Sequence, residues 1–309
     1  MIIKILGSGA GGGFPQWNCN CRNCRSVRAG VAGFSPRTQA GLAVSADGAN
    51  WLLLNASPDL RQQIAAAPEI SPAPDAPARA SPIKAVALLN GDVDAVAGLL
   101  HLREAQPFAV YASASVLRTL SQNSLFGVLN RDVVERRTLA LGAPTELSGA
   151  GISLGLNIEP FEAPGKIPLY LEDAHAADLS ARPGDTIGLR VAESATGKEF
   201  FFIPSCARLD ASLKDRLRGA ALVFFDGTLW RDDEMLEQGL MAKTGARMGH
   251  MSMSGPKGSI EQLSSLDIKA KIFIHINNSN PTLDERSPER AAAESAGWTI
   301  GEDGMQVAL

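Results

Sequence analysis

A chain of 309 residues, 45% of them hydrophobic, can bury a large core as one big domain or two. A formal net charge of −4 with no block of Lys or Arg makes nucleic acid and anionic membrane poor partners. No stretch approaches the roughly 18 uninterrupted apolar residues of a membrane span, and the start, Met1-Ile2-Ile3-Lys4-Ile5-Leu6, lacks the basic and apolar regions of an export signal, so a cytoplasmic protein is expected.

Short apolar runs bounded by turn residues predict strands over 2–6, 42–45, 51–55, 85–89, 109–112, 152–161, 186–191, 200–203, 222–225, 272–276 and 305–309. Helices are expected over 58–67, with Ser57 and Pro58 suited to its cap and first position, and over 96–102, 212–218, 233–238, 260–266 and 288–296. The Ala- and Pro-rich stretch 65–82 reads as a surface excursion, and no composition break divides the chain, so one domain over 1–309 is expected. Early hairpins followed by strand–helix alternation predict mixed sheets covered by helices, an α/β layered sandwich.

Gly7-Ser8-Gly9-Ala10-Gly11-Gly12 follows a strand and formally matches the dinucleotide fingerprint G-x-G-x-x-G. That fingerprint needs a helix to start at once. Here Gly13-Phe14-Pro15-Gln16-Trp17 and then cysteines follow, and no helix is expected. The glycines either let the backbone pass close beside a pocket or form a flexible connection.

Cys19, Cys21 and Cys24 put three thiols into six residues. The C-x-C-x-x-C spacing lets one turn present three sulfurs to a tetrahedral Zn²⁺, with a fourth ligand from elsewhere. A redox pair is the alternative, although C-x-C is cramped for a disulfide and no thioredoxin-like pattern surrounds it. Cys206, which closes the apolar run 200–205, is either a buried small hydrophobe or the fourth ligand, and Asn278 and His275 are the other candidates.

Asn90-Gly91-Asp92-Val93-Asp94 places two carboxylates at the mouth of a strand, to hold a divalent cation or to cap the next helix. His275 emerges from an apolar strand into Asn277-Asn278-Ser279-Asn280, where metal ligands sit, and pairing it with Asp92 and Asp94 favours a metal. Asp226 ends another strand, as a site carboxylate or a turn residue, and His250 suits a proton donor or substrate contact. Asp226 and His250 are expected to line the pocket without completing a metal site. His101 reads as structural, and His175, in an acidic loop, as solvated.

Taken together, the motifs closely resemble the pyrroloquinoline quinone (PQQ) biosynthesis protein B family. The resemblance rests on Gly7-Ser8-x-Ala10-Gly11-Gly12-Gly13-x-Pro15-Gln16-Trp17-Asn18-Cys19-x-Cys21-x-x-Cys24, Pro36-Arg37-Thr38-Gln39, 53–59, Asp226-Gly227-Thr228, Met248-Gly249-His250 and His275-Ile276-Asn277-Asn278. It runs the length of the chain. It implies a metallo-β-lactamase-like αββα four-layer sandwich with a metal pocket at the shared edge of two sheets, and a structural zinc on Cys19, Cys21 and Cys24. The superfold's H-x-H-x-D-H motif falls on Asn90-x-Asp92-x-Asp94-Ala95. The leading histidines are absent, as in the family, but Ala95 stands where the family carries a histidine. Later hydrolase ligands are replaced near Ala163-Pro164 and at Ser205-Cys206, so too few remain for two metal ions.

What survives is at most one metal ion, held by Asp94 and His275, with Asp92 nearby, and the resemblance implies Fe²⁺. A histidine at position 95 would complete the two-His, one-carboxylate triad that leaves open positions for O₂ and substrate. The resemblance implies that chemistry, hydroxylation of the tyrosine in a Glu-Tyr unit cut from the quinone's precursor peptide. With Ala95, weak iron binding and slow or absent turnover are expected. Ala95→His is expected to restore the triad at a cost of only a few tenths of a kcal/mol in helix propensity. A carrier for PQQ or its precursor is the alternative, and a phosphodiesterase-like hydrolase the third reading; a homodimer is left open.

Overall fold

The computed structural model describes residues 1–166 and 182–309. His175 lies outside them. The first sheet collects β1 (Ile2–Gly7), β2 (Gly41–Ser45), β3 (Trp51–Leu54), β4 (Ile83–Ala87), β5 (Phe108–Ser113) and β6 (Val134–Leu139) in spatial sequence. The second collects β7 (Thr145–Gly149), β8 (Ile152–Glu162), β9 (Ile187–Glu193), β10 (Glu199–Ile203), β11 (Leu222–Asp226), β12 (Ala270–Ile274) and β13 (Trp298–Ile300). β14 (Gln306–Ala308) returns to the first sheet and pairs antiparallel with β1. Each sheet is antiparallel through its first four strands and parallel through its last four, so one construction is used twice.

Period-two burial turns these strands into four layers. In β3 and β4, Leu52, Leu54, Ala85 and Ala87 face the second sheet, whereas Trp51, Leu53, Ile83 and Val86 join the helices on the outer face. In β10 and β11, Phe200, Phe202 and Phe224 enter the central layer while Phe201, Ile203, Val223 and Phe225 pack outward. The central cluster draws on both sheets, which gives the helix–sheet–sheet–helix sandwich that the sequence predicts.

The strands the sequence reading omits are β6, β7 and β13. All three lie at sheet edges, where short or polar segments are the rule: Val134-Glu135-Arg136-Arg137-Thr138-Leu139 buries only its ends, and β13 has three residues. Three α-helices are also unforeseen, Arg22–Arg28, Ala114–Gln122, capped by Ser113 Oγ accepting from Val116 N, and the single turn Gly245–Met248. The element expected at 96–102 is a short helix, Val93–Val96, running into a 3₁₀ segment, Ala97–Leu102. The stretch after Ile70 is largely exposed up to β4, as a surface excursion should be. No helix among the described residues is long and apolar enough to cross a membrane.

Candidate metal centres

Parallel strands from both sheets end on one rim, and the chemistry-bearing loops leave from those ends. β4 leads to Asp92 and Asp94, β11 ends at Asp226, and β12 leads to His275. The glycine-rich loop sews the rim together: Gly9 bridges Gln39 and Ile276, Ala10 N donates to Ile276 O, and Ile276 N to Ser8 O. A Cβ on Gly7 would stand 2.2 Å from the carbonyl oxygen of Gln39 and one on Gly9 3.1 Å from that of Thr38, whereas one on Gly11 would make only ordinary contact with Asp94 Oδ2 at 3.4 Å. The glycines are therefore the close-approach device and not merely a flexible link.

That loop delivers the chain to the cysteine turn. Cys21 is the N-cap of the helix Arg22–Arg28, so a helix does begin here, within the cysteine turn, with Cys24 in its first turn, and well past the glycines. The ligand atoms of Cys19, Cys21 and Cys24 lie within 4.8 Å of one another. The Cys21 thiol is lowered to about 5, chiefly by the Cys24 side chain hydrogen-bonding to it against the effect of burial, while that same bond and burial push Cys24 up. One thiolate is thus stabilised even without a cation. The Asn278 amide closes the open side, with Nδ2 3.0 Å from Cys19 Sγ, 3.4 Å from Cys24 Sγ and 3.8 Å from Cys21 Sγ. Asn23 Nδ2 anchors this loop by donating to Asn278 O and Asn280 O. Three sulfurs and an amide whose oxygen and nitrogen exchange places on a flip make a donor set that fits a four-coordinate Zn²⁺.

Cys206 is not part of this group. Its thiol donates to Arg208 O at 3.1 Å beside Asp226, and burial followed by the Asp226 charge raises it, so it is the buried small side chain of the two readings. His275 also turns away from the cysteines, toward Asp94.

The second cluster is built on a strained backbone. His275 has φ +60°, a left-handed conformation disfavoured for a side chain of this size. Its Nε2 stands 3.0 Å from Asp94 Oδ2, and its Nδ1 2.9 Å from Thr228 Oγ1. Burial opposes charge on both partners, but their hydrogen bond and mutual attraction outweigh it, so His275 is raised and Asp94 lowered. Asp92 is the N-cap of the short helix yet makes no side-chain capping bond, and its charge also acts on His275.

Asp226 is 0% exposed. Its Oδ1 accepts from Thr228 N at 3.0 Å and Thr228 Oγ1 at 2.6 Å, and its Oδ2 from Cys206 N at 2.8 Å and His250 Nδ1 at 2.7 Å. Ligand atoms of Asp226, His250 and His275 also lie within 4.8 Å of one another. With four donors on Asp226 and both Nδ1 atoms turned inward, hydrogen bonds close this group, and it is the weaker candidate for a cation. His250 stacks on His275 with centroids 5.1 Å apart and planes 19° apart. His101 lies elsewhere, exposed, with Nε2 3.2 Å from Pro58 O.

Ala95 does not begin its helix at the surface. It is 2% exposed and packs in the apolar cluster outside the first sheet, so an imidazole there must find room, and helix propensity alone understates the cost. Ala207 N donates to Pro164 O, which brings the segment 163–164 beside the one that follows Ser205-Cys206.

Thr228, which the sequence offered only as part of the Asp226-Gly227-Thr228 motif and without a role, and Asp303, which it did not single out, both adjoin the site. A hydroxyl two residues beyond a strand-end aspartate was the available signal for Thr228. Asp303 carried none: its carboxylate accepts from Ser8 N at 2.9 Å, Ser8 Oγ at 2.8 Å, Thr38 N at 2.6 Å and Thr38 Oγ1 at 2.7 Å, clamping the strand end whose Ser8 carbonyl holds Ile276 beside His275.

The chain matches the β-lactamase superfamily domain family over residues 50–276. It is 51% identical over 308 residues to coenzyme PQQ synthesis protein B of Bradyrhizobium diazoefficiens, covering 99% of each, and 48% identical over 309 residues to that of Xanthomonas oryzae pv. oryzae, covering 100% of each. Among solved structures, Zn²⁺-bound PqqB from Methylobacterium extorquens superposes with a TM-score of 0.94 at 48% identity over 100% of both chains. A diphosphatase of the PhnP family, at 19% identity and a TM-score of 0.68 over 99% of this chain and 96% of its own, shares the fold.

Proposed function

The chain belongs to the coenzyme PQQ synthesis protein B family of the β-lactamase superfamily, and we propose that it serves PQQ biosynthesis as a single-metal oxygenase acting on the tyrosine of a Glu-Tyr unit. The observation that carries this reading is the pair His275 Nε2 and Asp94 Oδ2, 3.0 Å apart on the rim. With Nδ1 hydrogen-bonded to Thr228, Nε2 and the carboxylate oxygen face each other, and only a shared proton or a cation makes that arrangement favourable. The donors present fit a metal ion held by two side chains, with Asp92 near and Ala95 supplying nothing, so the three-ligand triad is incomplete. Iron bound there would supply O₂ activation. The protein's own part is to orient substrate: Asp226 holds His250 by Nδ1, which leaves Nε2 to accept the phenol proton and hold it.

The relative from Methylobacterium extorquens is Zn²⁺-bound, and we assign zinc to Cys19, Cys21 and Cys24 with the Asn278 amide as fourth donor. Its role is structural. It ties the glycine-rich loop, which passes Asp94, to the loop that continues from His275. A second reading, a carrier for PQQ or its precursor, is favoured by Ala95, which removes a ligand that catalysis needs.

Anaerobic Fe²⁺ titration followed by O₂ and a Glu-Tyr peptide separates the two. The oxygenase reading expects weak iron uptake and hydroxylated peptide whose rate rises with Fe²⁺ concentration. No product at saturating iron, together with binding of PQQ or its precursor, would replace it with the carrier.

A further inference from the structure

We infer that the turn carrying Trp17, with the exposed guanidinium groups of Arg25 and Arg28 beside it, is a docking surface for an acidic peptide segment. Trp51 and Trp298 are 1% and 2% exposed, whereas Trp17 is 87% exposed. A large ring left in water is a cost that a loose loop could lower by folding the ring back. This turn does not let it. Gln16 Nε2 donates to Asn18 Oδ1 at 2.9 Å and Cys19 N to Gln16 O at 3.1 Å, so the residues on either side of Trp17 are tied to each other. Arg28 donates to both Gln16 O and Cys19 O, and the buried Phe14 exchanges backbone hydrogen bonds with Arg37. The ring is held outward on a fixed corner, the arrangement in which an aromatic side chain engages a partner at little further entropic cost.

Charge selects the partner. No Asp or Glu precedes Asp47, while Lys4, Arg22, Arg25, Arg28 and Arg37 do, in a chain of net charge −4. Later carboxylates match three of these cations: Glu69 pairs with Lys4, Asp284 with Arg22 and Glu302 with Arg37. Arg25 and Arg28 have no acidic partner among the described residues. Both are exposed, and their hydrogen bonds go to the carbonyls of Asn20, Cys19 and Gln16, which satisfy N–H groups but cancel no charge. Three thiolates around Zn²⁺ carry one net negative charge, which offsets one guanidinium and leaves the other. Because those carbonyls flank Trp17, ring and charges gather on one turn. Two cations are too few for nucleic acid, whose binding gathers many phosphate contacts, or for an anionic membrane, which needs a larger basic cluster. They suit a peptide that sets carboxylates beside an aromatic or apolar side chain, the first for the arginines and the second for Trp17. The surface also leads to the rim. Gly11 lies beside Asp94, and Val93 is 59% exposed there. The chain from Gly11 to Trp17 spans at most about 20 Å, so a peptide of roughly six residues docked on Trp17 reaches the mouth of the pocket.

The inference goes beyond the oxygenase reading and does not rest on it, since docking needs neither iron nor turnover. The test is fluorescence anisotropy of the zinc-loaded protein with a short labelled peptide of alternating Glu and Tyr, titrated at low and at high salt. The wild type should bind it, more weakly as salt screens the free charges. Trp17→Ala should weaken binding about 30-fold or more, as loss of an aromatic anchor does. Trp17→Phe, which keeps a ring, should recover most of the affinity. Arg25→Glu should weaken binding roughly 5- to 10-fold at low salt and flatten the salt dependence, and a peptide with Lys in place of Glu should not bind. Arg28 is left intact because it holds the turn. Trp17 and Arg25 are exposed, so zinc content and melting temperature should match the wild type in all three variants, which separates lost docking from a lost turn. No binding by the wild type, or equal binding by wild type, Trp17→Ala and Arg25→Glu, overturns the surface. Equal affinity for the Lys peptide overturns the acidic partner. A wild type that self-associates in sedimentation while Trp17→Ala stays monomeric gives the face to a second copy of the chain and overturns the peptide.

Discussion

Asp226→Asn removes one acceptor from a fully engaged buried carboxylate, and the size of the penalty can be worked from its four partners. An asparagine keeps one oxygen, so at most two of the four donors retain an acceptor. If the oxygen faces Cys206 N and His250, the new NH₂ opposes Thr228, whose hydroxyl can turn to accept but whose backbone N–H cannot. With the amide flipped, His250 can change tautomer but Cys206 N–H is left unpaired. Either way one buried backbone N–H loses its partner, at about 1–3 kcal/mol, and the surviving bonds lose their charge assistance, roughly 1–2 kcal/mol more. The total of about 2–5 kcal/mol is measurable by urea unfolding followed through tryptophan fluorescence, with the slope checked for two-state behaviour. Asp47 supplies the control. It too accepts from four donors, Ser45 Oγ, Ala49 N, Asn50 N and Asn50 Nδ2, but on an exposed turn where water replaces whatever is lost, so Asp47→Asn should cost no more than about 1 kcal/mol. An Asp226→Asn loss below about 1 kcal/mol, or one equal to that of Asp47→Asn, would refute the claim that a saturated, water-free acceptor holds this end of β11.

Cys24→Ser replaces a fully buried sulfur of the cysteine turn and should release zinc and lower the melting temperature; unchanged zinc content by elemental analysis would remove Cys24 from the ligand set. Ala95→His should tighten Fe²⁺ binding and raise O₂-dependent product while costing about 1–3 kcal/mol through crowding of a buried position, read by titration and thermal melting side by side; equal iron affinity in the two proteins would sink the triad account. Burial raises Glu234 to about 7 despite hydrogen bonds from Ser279 and Trp230 N. Its folded value thus exceeds the ordinary glutamate value of 4.5, the folded state binds the extra proton between the two, and stability should fall as pH rises through that window. Glu234→Gln should gain on the wild type over the same range, and parallel stability profiles for the two proteins would contradict this.

Much of the scaffold was legible because backbone geometry writes it locally. Period-two burial in Phe200-Phe201-Phe202-Ile203 and Leu222-Val223-Phe224-Phe225 marks strands covered on both faces, and their polar ends, Asp226 and the loop after β12, mark the rim. The cysteine turn was equally readable, since its three donors need only six residues of chain. Edge strands escaped because an edge need bury little and says little in hydrophobic pattern, as in β6 and β7. Only the tertiary structure decided the partnerships: Asp94 with His275 across 181 residues, Asn278 with Cys24 across 254, and the four donors that turn Asp226 inward. Such contacts depend on sheet order and on which loops leave the same rim, and neither periodicity nor spacing carries that information. For the same reason the sequence could raise the reading of Ala95 as the place of an absent ligand from its position in a motif, while the apolar packing that governs what replaces it appeared only once the first sheet and its helices were in place.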